Sequence, residues 1–258
     1  MKSQELSPGV SLYIFDELET TMVEARKRAQ TGASQGTTVV ALKQTQGRGR
    51  LGRTWISEPG NLYMTTLLKP ALEMKDAGKI SLIVGLALKN VLESYVKDSE
   101  VQLKWPNDVL IKGQKVAGIL LEMIPGVEEG SFILLVGIGV NVSHYPENVR
   151  YPATSLASLG VSLDPTQLIQ PIVTTLLKMT ENFVSDPQFN WKKDWMASAY
   201  GLERAILLTH DSGKIVAQGI YQGIDHNGSL VIQDDTGNMC AYYVGDVVFQ
   251  KVPLKTSF

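Results

Sequence analysis

Cysteine is nearly absent. Cys240 is the only one in 258 residues, so no internal disulfide can form, which fits a reducing compartment. It sits in an alternating, strand-like run and reads as a small buried hydrophobe rather than a nucleophile. Histidine is scarce too: His144, His210 and His226 are widely spaced and have no cysteine neighbours, which excludes a Cys/His zinc site. The longest apolar run, Phe132 to Val140, is too short to span a bilayer. Met1 to Glu5 lacks the apolar stretch of a signal peptide. A soluble, cytoplasmic protein is expected. Charge is balanced, 24 basic against 26 acidic side chains with a net −2, so the surplus needed to coat nucleic acid is missing. Repeats and low-complexity tracts are absent as well. What is present is a 44% hydrophobic chain long enough for one or two domains with their own cores.

Apolar patterning sets out an α+β order. Residues 12 to 15 read as a strand, and the threonines just before Met22 can cap a helix over 22 to 30. Residues 37 to 42 and 62 to 68 are strand-like, and 79 to 96 place Ile80, Ile83, Val84, Ala87, Leu88, Val91 and Leu92 at helical spacing. Strands over 101 to 104, 109 to 111, 115 to 123 and 132 to 142 follow, with Gly113 suited to the turn at 111 to 115. Residues 164 to 200 return to helical spacing. From about 203 the texture changes to five short strands (205–209, 215–223, 229–233, 239–244 and 247–252) separated by turns such as Asn227-Gly228, the pattern of a small barrel. The chain therefore divides into a catalytic-sized α+β domain, 1 to 203, and a β-rich domain, 204 to 258.

The most unusual stretch is Gly47-Arg48-Gly49-Arg50-Leu51-Gly52-Arg53. It satisfies the dinucleotide pattern G-x-G-x-x-G and nearly satisfies the P-loop. Both require a helix to start at the last glycine, so that its amides can hold phosphate. Glu58-Pro59-Gly60-Asn61 leaves no room for one, and both matches are discarded. What remains is a glycine-rich loop whose arginines can converge on phosphate or carboxylate oxygens. In Lys104-Trp105-Pro106-Asn107-Asp108, the proline stops a strand and leaves Asn107 and Asp108 at its end, where loops carry sites. By themselves these residues also read as an ordinary turn. Lys115 opens Val116-Ala117-Gly118-Ile119, where a lysine at a strand edge ordinarily snorkels to solvent. Gly118 inside that strand points to the close approach of a ligand or backbone. Asn141, in an otherwise buried run, is either a structural bracket or a ligand contact.

In this order and spacing, Gly-Arg-Gly-Arg-x-Gly-Arg, Lys-Trp-Pro-Asn-Asp, Lys-Val-Ala-Gly-Ile and Gly-x-Asn resemble the biotin protein ligases from about residue 12 to the C-terminus. The resemblance implies a mixed-sheet catalytic domain packed with helices, followed by a small SH3-like barrel. About ten residues precede the first expected strand, so the resemblance is to the monofunctional type, without a helix-turn-helix domain.

Such enzymes join biotin's carboxylate to the α-phosphate of ATP, giving biotinyl-5′-AMP, and then pass biotin to a lysine of a carboxyl-carrier domain. The resemblance assigns Thr20, Thr21, Gln44, Gly47, Arg48, Gly49, Arg50, Lys115 and Gly118 to biotin. It assigns Arg50, Trp55, Asn107, Asp108 and Asn141 to the nucleotide. Lys115, Arg48 and Asp108 are the implied catalytic groups, with Asp108 holding Mg²⁺ carried by ATP or deprotonating the acceptor lysine. Met22 departs from the family, which often has asparagine there. The implied partners are biotin, ATP and the carrier domain of a carboxylase, with no DNA and no membrane; a homodimer is compatible. The rival readings are a lipoate or octanoate transferase of the same superfamily and a non-catalytic biotin-sensing regulator.

Overall fold

The computed structural model describes residues 1–250 apart from 97, 98, 127, 129, 148, 150, 211 and 212. Its larger sheet has eight strands: β1 (Lys2–Ser7), β2 (Val10–Leu18), β3 (Thr38–Gln44), β4 (Leu62–Leu68), β5 (Val101–Lys104), β6 (Asp108–Ile111), β7 (Gln114–Pro125) and β8 (Phe132–Val140). The spatial order is β1-β2-β3-β4-β8-β7-β6-β5. Every neighbouring pair is antiparallel except β2 and β3. That parallel pair needs a crossover, which α1 (Thr21–Gln30) supplies. Thr20 caps α1 by accepting from the Met22 amide at 3.3 Å.

β1 corrects the expectation that the first strand starts near residue 12. Its sequence, Lys-Ser-Gln-Glu-Leu-Ser, is exposed along almost its whole length and carries no apolar alternation. Pairing with β2 alone makes it a strand, and its polar side chains suit a sheet edge.

The sheet separates two cores. On one face, Met22, Ala25 and Ala29 of α1 pack with Val39, Leu67, Ile133 and Leu135. The other face is covered by α2 (Ile80–Glu93) and α3 (Ile169–Ser185). α2 is buried nearly all round, in keeping with its run of leucine, isoleucine and alanine. The helical stretch at 164 to 200 resolves into α3 and α4 (Trp191–Ala197). Asp186, which precedes Pro187, takes an extended conformation that ends α3, and the Asn190 side chain caps the next helix.

The second sheet contains β9 (Ala205–Thr209), β10 (Ile215–Ile224), β11 (Leu230–Gln233), β12 (Met239–Tyr242) and β13 (Asp246–Phe249), in the order β12-β11-β10-β9-β13. All its pairings are antiparallel. The end of the strand expected over 247 to 252 lies outside the described residues. Cys240 is half-buried rather than buried, because β12 is an edge strand. Ile206, Leu208, Tyr221, Leu230 and Val247 join the same apolar cluster as α2 and α3. The two sheets thus share one continuous core. No helix among the described residues is long and apolar enough to cross a membrane.

Candidate functional site

A cavity of about 290 Å³ opens where the α1 start, the Gly/Arg loop, β6, β7, β8 and the start of β13 meet. Thr20, Thr21, Gln44, Arg48, Gly49, Arg50, Trp55, Asn107, Asp108, Lys115, Gly118 and Asn141 all line it, so twelve of the thirteen expected site residues come together. Gly47 does not. A Cβ there would lie 2.3 Å from the Trp55 carbonyl oxygen and 2.4 Å from Ser57 Oγ. Glycine is therefore needed at 47 for packing behind the wall.

Residues 47 to 55 form a tight hairpin. Trp55 N donates to Gly47 O at 2.9 Å, and Gly49 N donates to Arg53 O at 2.7 Å. Leu51 and Gly52 take left-handed conformations at its tip, with φ of 56° and 71°. No helix starts at Gly52, as the dismissal of the two nucleotide fingerprints requires. Arg48 reaches Glu19 at 3.5 Å on the exposed side. Arg50 turns inward, donating to Asn107 Oδ1 at 3.2 Å and approaching Asp246 Oδ1 at 3.5 Å. Arg53 pairs with the other oxygen of Asp246. Burial pushes the Arg50 guanidinium below its usual pKa; the Asp108 charge opposes this and Arg53 adds to it. Arginine is so basic that it stays cationic all the same.

Lys115 is not an exposed edge residue, because β7 lies inside the sheet between β6 and β8. Its backbone is held by Pro152 O, 2.8 Å from its amide, and by Thr154 N, 3.0 Å from its carbonyl. The pairing of β6 with β7 shifts register between Val109 and Leu110. Residues three apart in a regular strand face opposite sides; this bulge brings Lys115 and Gly118 onto one side. A Cβ on Gly118 would meet Lys115 Nζ at 3.1 Å. Lys115 Nζ lies 2.5 Å from Asp108 Oδ1 and 5.1 Å from the Trp55 ring centroid.

Gly118 stands opposite Gly139 across β7 and β8, so two missing side chains make a flat floor. Trp55 lies on it: a Cβ on Gly118 would come within 2.9 Å of the indole, and one on Gly139 within 2.6 Å. The indole Nε1 is buried without a hydrogen-bond partner among the described residues. Next to this floor, Gly137 accommodates Met22, whose Sδ would sit 3.1 Å from a Cβ there. Met22 therefore fills the cleft wall with its thioether.

At the α1 end, Gln44 Oε1 accepts from Thr21 N at 2.8 Å, and Gln44 Nε2 donates to Ser57 Oγ at 2.9 Å. The Thr21 hydroxyl also meets that of Thr65 at 2.8 Å. Asn141 settles as a bracket that also faces the cavity: its Nδ2 donates to Thr154 O at 3.0 Å and Lys115 O at 3.4 Å. Tyr63 is pushed up to about 12 by burial and donates to Glu58 O at 2.8 Å, so it serves as a neutral wall. Among the described residues, no three His, Cys, Asp or Glu side chains gather to hold a metal. Asp108 offers one carboxylate, a donor set that suits magnesium arriving on nucleotide phosphates rather than a protein cage.

Several lining residues had no assignment from sequence. Lys104, inside a recognised motif, is buried with Nζ 3.9 Å from the Tyr151 ring centroid. Gly139, a second glycine inside a strand, carries the same signal as Gly118, and it lies opposite Gly118 across β7 and β8. Asp246 carries no local signal; only its place at the cavity rim identifies it.

Comparison with known proteins agrees with this geometry. Residues 14–141 match the Biotin/lipoate A/B protein ligase family, and 201–250 match the Biotin protein ligase C terminal domain. The Bifunctional ligase/repressor BirA of Bacillus subtilis is 31% identical over 89% of this chain and 71% of its own length. The Biotin--[acetyl-CoA-carboxylase] ligase of Paracoccus denitrificans is 31% identical over 85% and 92%. The biotin protein ligase of Aquifex aeolicus, solved with biotin and ATP, superposes with a TM-score of 0.76 at 27% identity, covering 93% of this chain and 99% of that one. On sequence and structure alike, this chain belongs to the biotin protein ligase family.

Proposed function

We propose that the protein activates biotin with ATP to biotinyl-5′-AMP and transfers biotin to a lysine of a biotin carboxyl-carrier domain. The observation that carries this reading is the convergence of Arg50 and Lys115 on one cavity beside the Gly118–Gly139 floor, with Arg48 at its exposed rim. The first step joins a carboxylate to a polyphosphate. At about 4 Å and an effective dielectric of about 20, each pair of unit charges repels by roughly 4 kcal/mol. Arg50 and Lys115 offset that repulsion and hold the two anions in line, so catalysis comes from positioning and electrostatics.

Residues 1–203 act as the catalytic domain and 204–258 as the C-terminal domain. Thr20, Thr21 and Gln44 receive the polar ring of biotin, and its chain runs past the Gly118 backbone beside the Trp55 indole that rests on the glycine floor. Lys115, steadied by Asp108, bridges carboxylate and α-phosphate. Asn107, Asn141 and the indole of Trp55 face the nucleotide. Asp108 is the carboxylate that would hold magnesium carried on the ATP phosphates, which would supply further charge neutralisation. In the second step the carrier lysine attacks the mixed anhydride and AMP leaves, so no enzyme-bound acyl group is needed. The named relatives favour a carrier belonging to acetyl-CoA carboxylase. DNA has no part in this reading, since the net charge of −2 leaves no phosphate-neutralising surplus.

The test is incubation with radiolabelled biotin, MgATP and a carrier domain. Acid-stable label on the carrier is expected; its absence, with folded protein and carrier, overturns the reading. Parallel ATP–pyrophosphate exchange with biotin and with lipoate separates this activity from that of the lipoate branch of the superfamily.

A further inference from the structure

Asp246 is 8% exposed, yet it is a carboxylate, and a buried carboxylate is tolerated only when it is paired. Its partners come from far away in the chain. Arg50 Nη1 lies 3.5 Å from its Oδ1, Arg50 Nη2 lies 3.5 Å from the neighbouring Gly245 carbonyl, and Arg53 takes its Oδ2. The same Arg50 side chain donates to Asn107 Oδ1, so one guanidinium ties the Gly/Arg hairpin to both the 104–108 motif and the C-terminal sheet. Two arginines on one carboxylate leave one positive charge in excess, still directed at the cavity.

Asp246 is itself rigidly placed. It opens β13, which among the described residues pairs only with β9 and stands at the edge of its sheet. Gly245 enters that strand at φ 144°, where a Cβ would lie 2.5 Å from Leu208 Cδ1. The C-terminal sheet is pinned to the catalytic domain at a second point, where Trp105 Nε1 donates to Gly228 O at 3.0 Å.

We propose that Asp246 is a positioning residue that latches the Gly/Arg hairpin over the cavity, so that the C-terminal domain governs how firmly the site holds its adenylate. The mixed anhydride is lost if water reaches it, and a latch that keeps the hairpin down lengthens its stay. The adenylate part of this inference rests on the function proposed above; the latch itself does not.

The test uses the full chain as wild type, Asp246→Asn, Arg53→Gln and the double variant. Backbone hydrogen exchange is followed over residues 47 to 55, with α2 as the internal reference. Charge-assisted hydrogen bonds of this kind predict on the order of tenfold faster exchange in the hairpin of Asp246→Asn and no change in α2. Arg53→Gln should give a smaller rise, and the double variant should exchange no faster than Asp246→Asn. The second readout is release of biotinyl-5′-AMP, expected to rise several-fold while pyrophosphate exchange persists. Unchanged hairpin exchange in Asp246→Asn overturns the latch, as does a general rise that includes α2, which marks a residue needed for folding. Should Asp246→Asn fail to fold, Arg53→Gln decides alone, because Arg53 is half-exposed: unchanged exchange there also overturns the latch. If the wild type forms no adenylate, the proposed function fails, and the exchange comparison still rules on the latch.

Discussion

Lys115 and Arg50 meet in one cavity, but they are held there in opposite ways. Lys115 has its carboxylate partner seven residues away, across the β6–β7 turn, inside a sheet with strands on both sides. Arg50 sits on a glycine-rich hairpin and has its carboxylate partner 196 residues away, in another sheet. The first cation is placed by local backbone geometry and stays where the sheet puts it. The second is placed by contacts with Asn107 and with Asp246 and Gly245 of the second sheet, and the latch proposed above makes it the movable one. A site that must hold a reactive intermediate and also admit substrates needs one fixed cation and one movable one.

The largest effect is expected from breaking the fixed half. Lys115→Ala should reduce biotin-dependent ATP–pyrophosphate exchange by about 10²–10³-fold, the usual loss when a preorganised charge is removed. Far-UV circular dichroism should be unchanged, since the sheet around β7 is built by backbone pairing. Exchange within a fewfold of wild type would move the catalytic role away from this residue.

Next comes the floor beneath it. Gly139→Ala puts a methyl group 2.6 Å from the Trp55 indole, so the indole must move. Overpacking costs of roughly 1–3 kcal/mol translate into a loss of about five- to a hundredfold in biotin affinity, measurable by titration calorimetry. Full affinity would mean that biotin binding does not depend on the Trp55 indole resting on this floor.

The movable half should respond more gently. Arg50→Gly removes a cation and adds backbone freedom, so activation should survive on Lys115 while adenylate escapes. With MgATP and biotin but no carrier, free biotinyl-5′-AMP and label on added albumin should rise several-fold. A variant that still activates biotin but releases no more than wild type would make Arg50 a mere structural tie.

The smallest effect tests the domain contact without touching any charge. Trp105→Phe keeps the buried ring but removes the Nε1 hydrogen bond to Gly228 O. One such bond contributes about 1 kcal/mol, equivalent to roughly 2–4 °C in Tm for a chain of this size. Calorimetric scans should show that drop with pyrophosphate exchange nearly intact; a collapse of exchange would join the domain contact to the fixed half of the site.

Much of the architecture was legible because its signals are local. β4 and β5 cover the residues that their strand patterning marks, 62 to 68 and 101 to 104, and α2 follows a helical repeat of large aliphatic residues. The elements that were missed lack such signals. β1 is polar apart from Leu6 and exists because β2 lies beside it. The division of the 164–200 stretch into two helices falls at Pro187, whereas Pro171 sits in the first turn of α3, where a proline is tolerated.

For the site, the motifs in the sequence, through the resemblance they carry, name most of the members. Arg48, Gly49, Arg50, Asn107, Asp108, Lys115, Gly118 and Asn141 are named that way and line the cavity. Sequence could not determine orientation or pairing. The bulge that puts Lys115 on the Gly118 face depends on the register of β6 against β7, since a slip of one residue reverses a side chain. Gly139 became part of the floor only when β8 paired with β7. Asp246 became a partner of Arg50 and Arg53 only when two sheets packed on one core, because an ion pair between residues so far apart in the chain is set by where the folded surfaces meet.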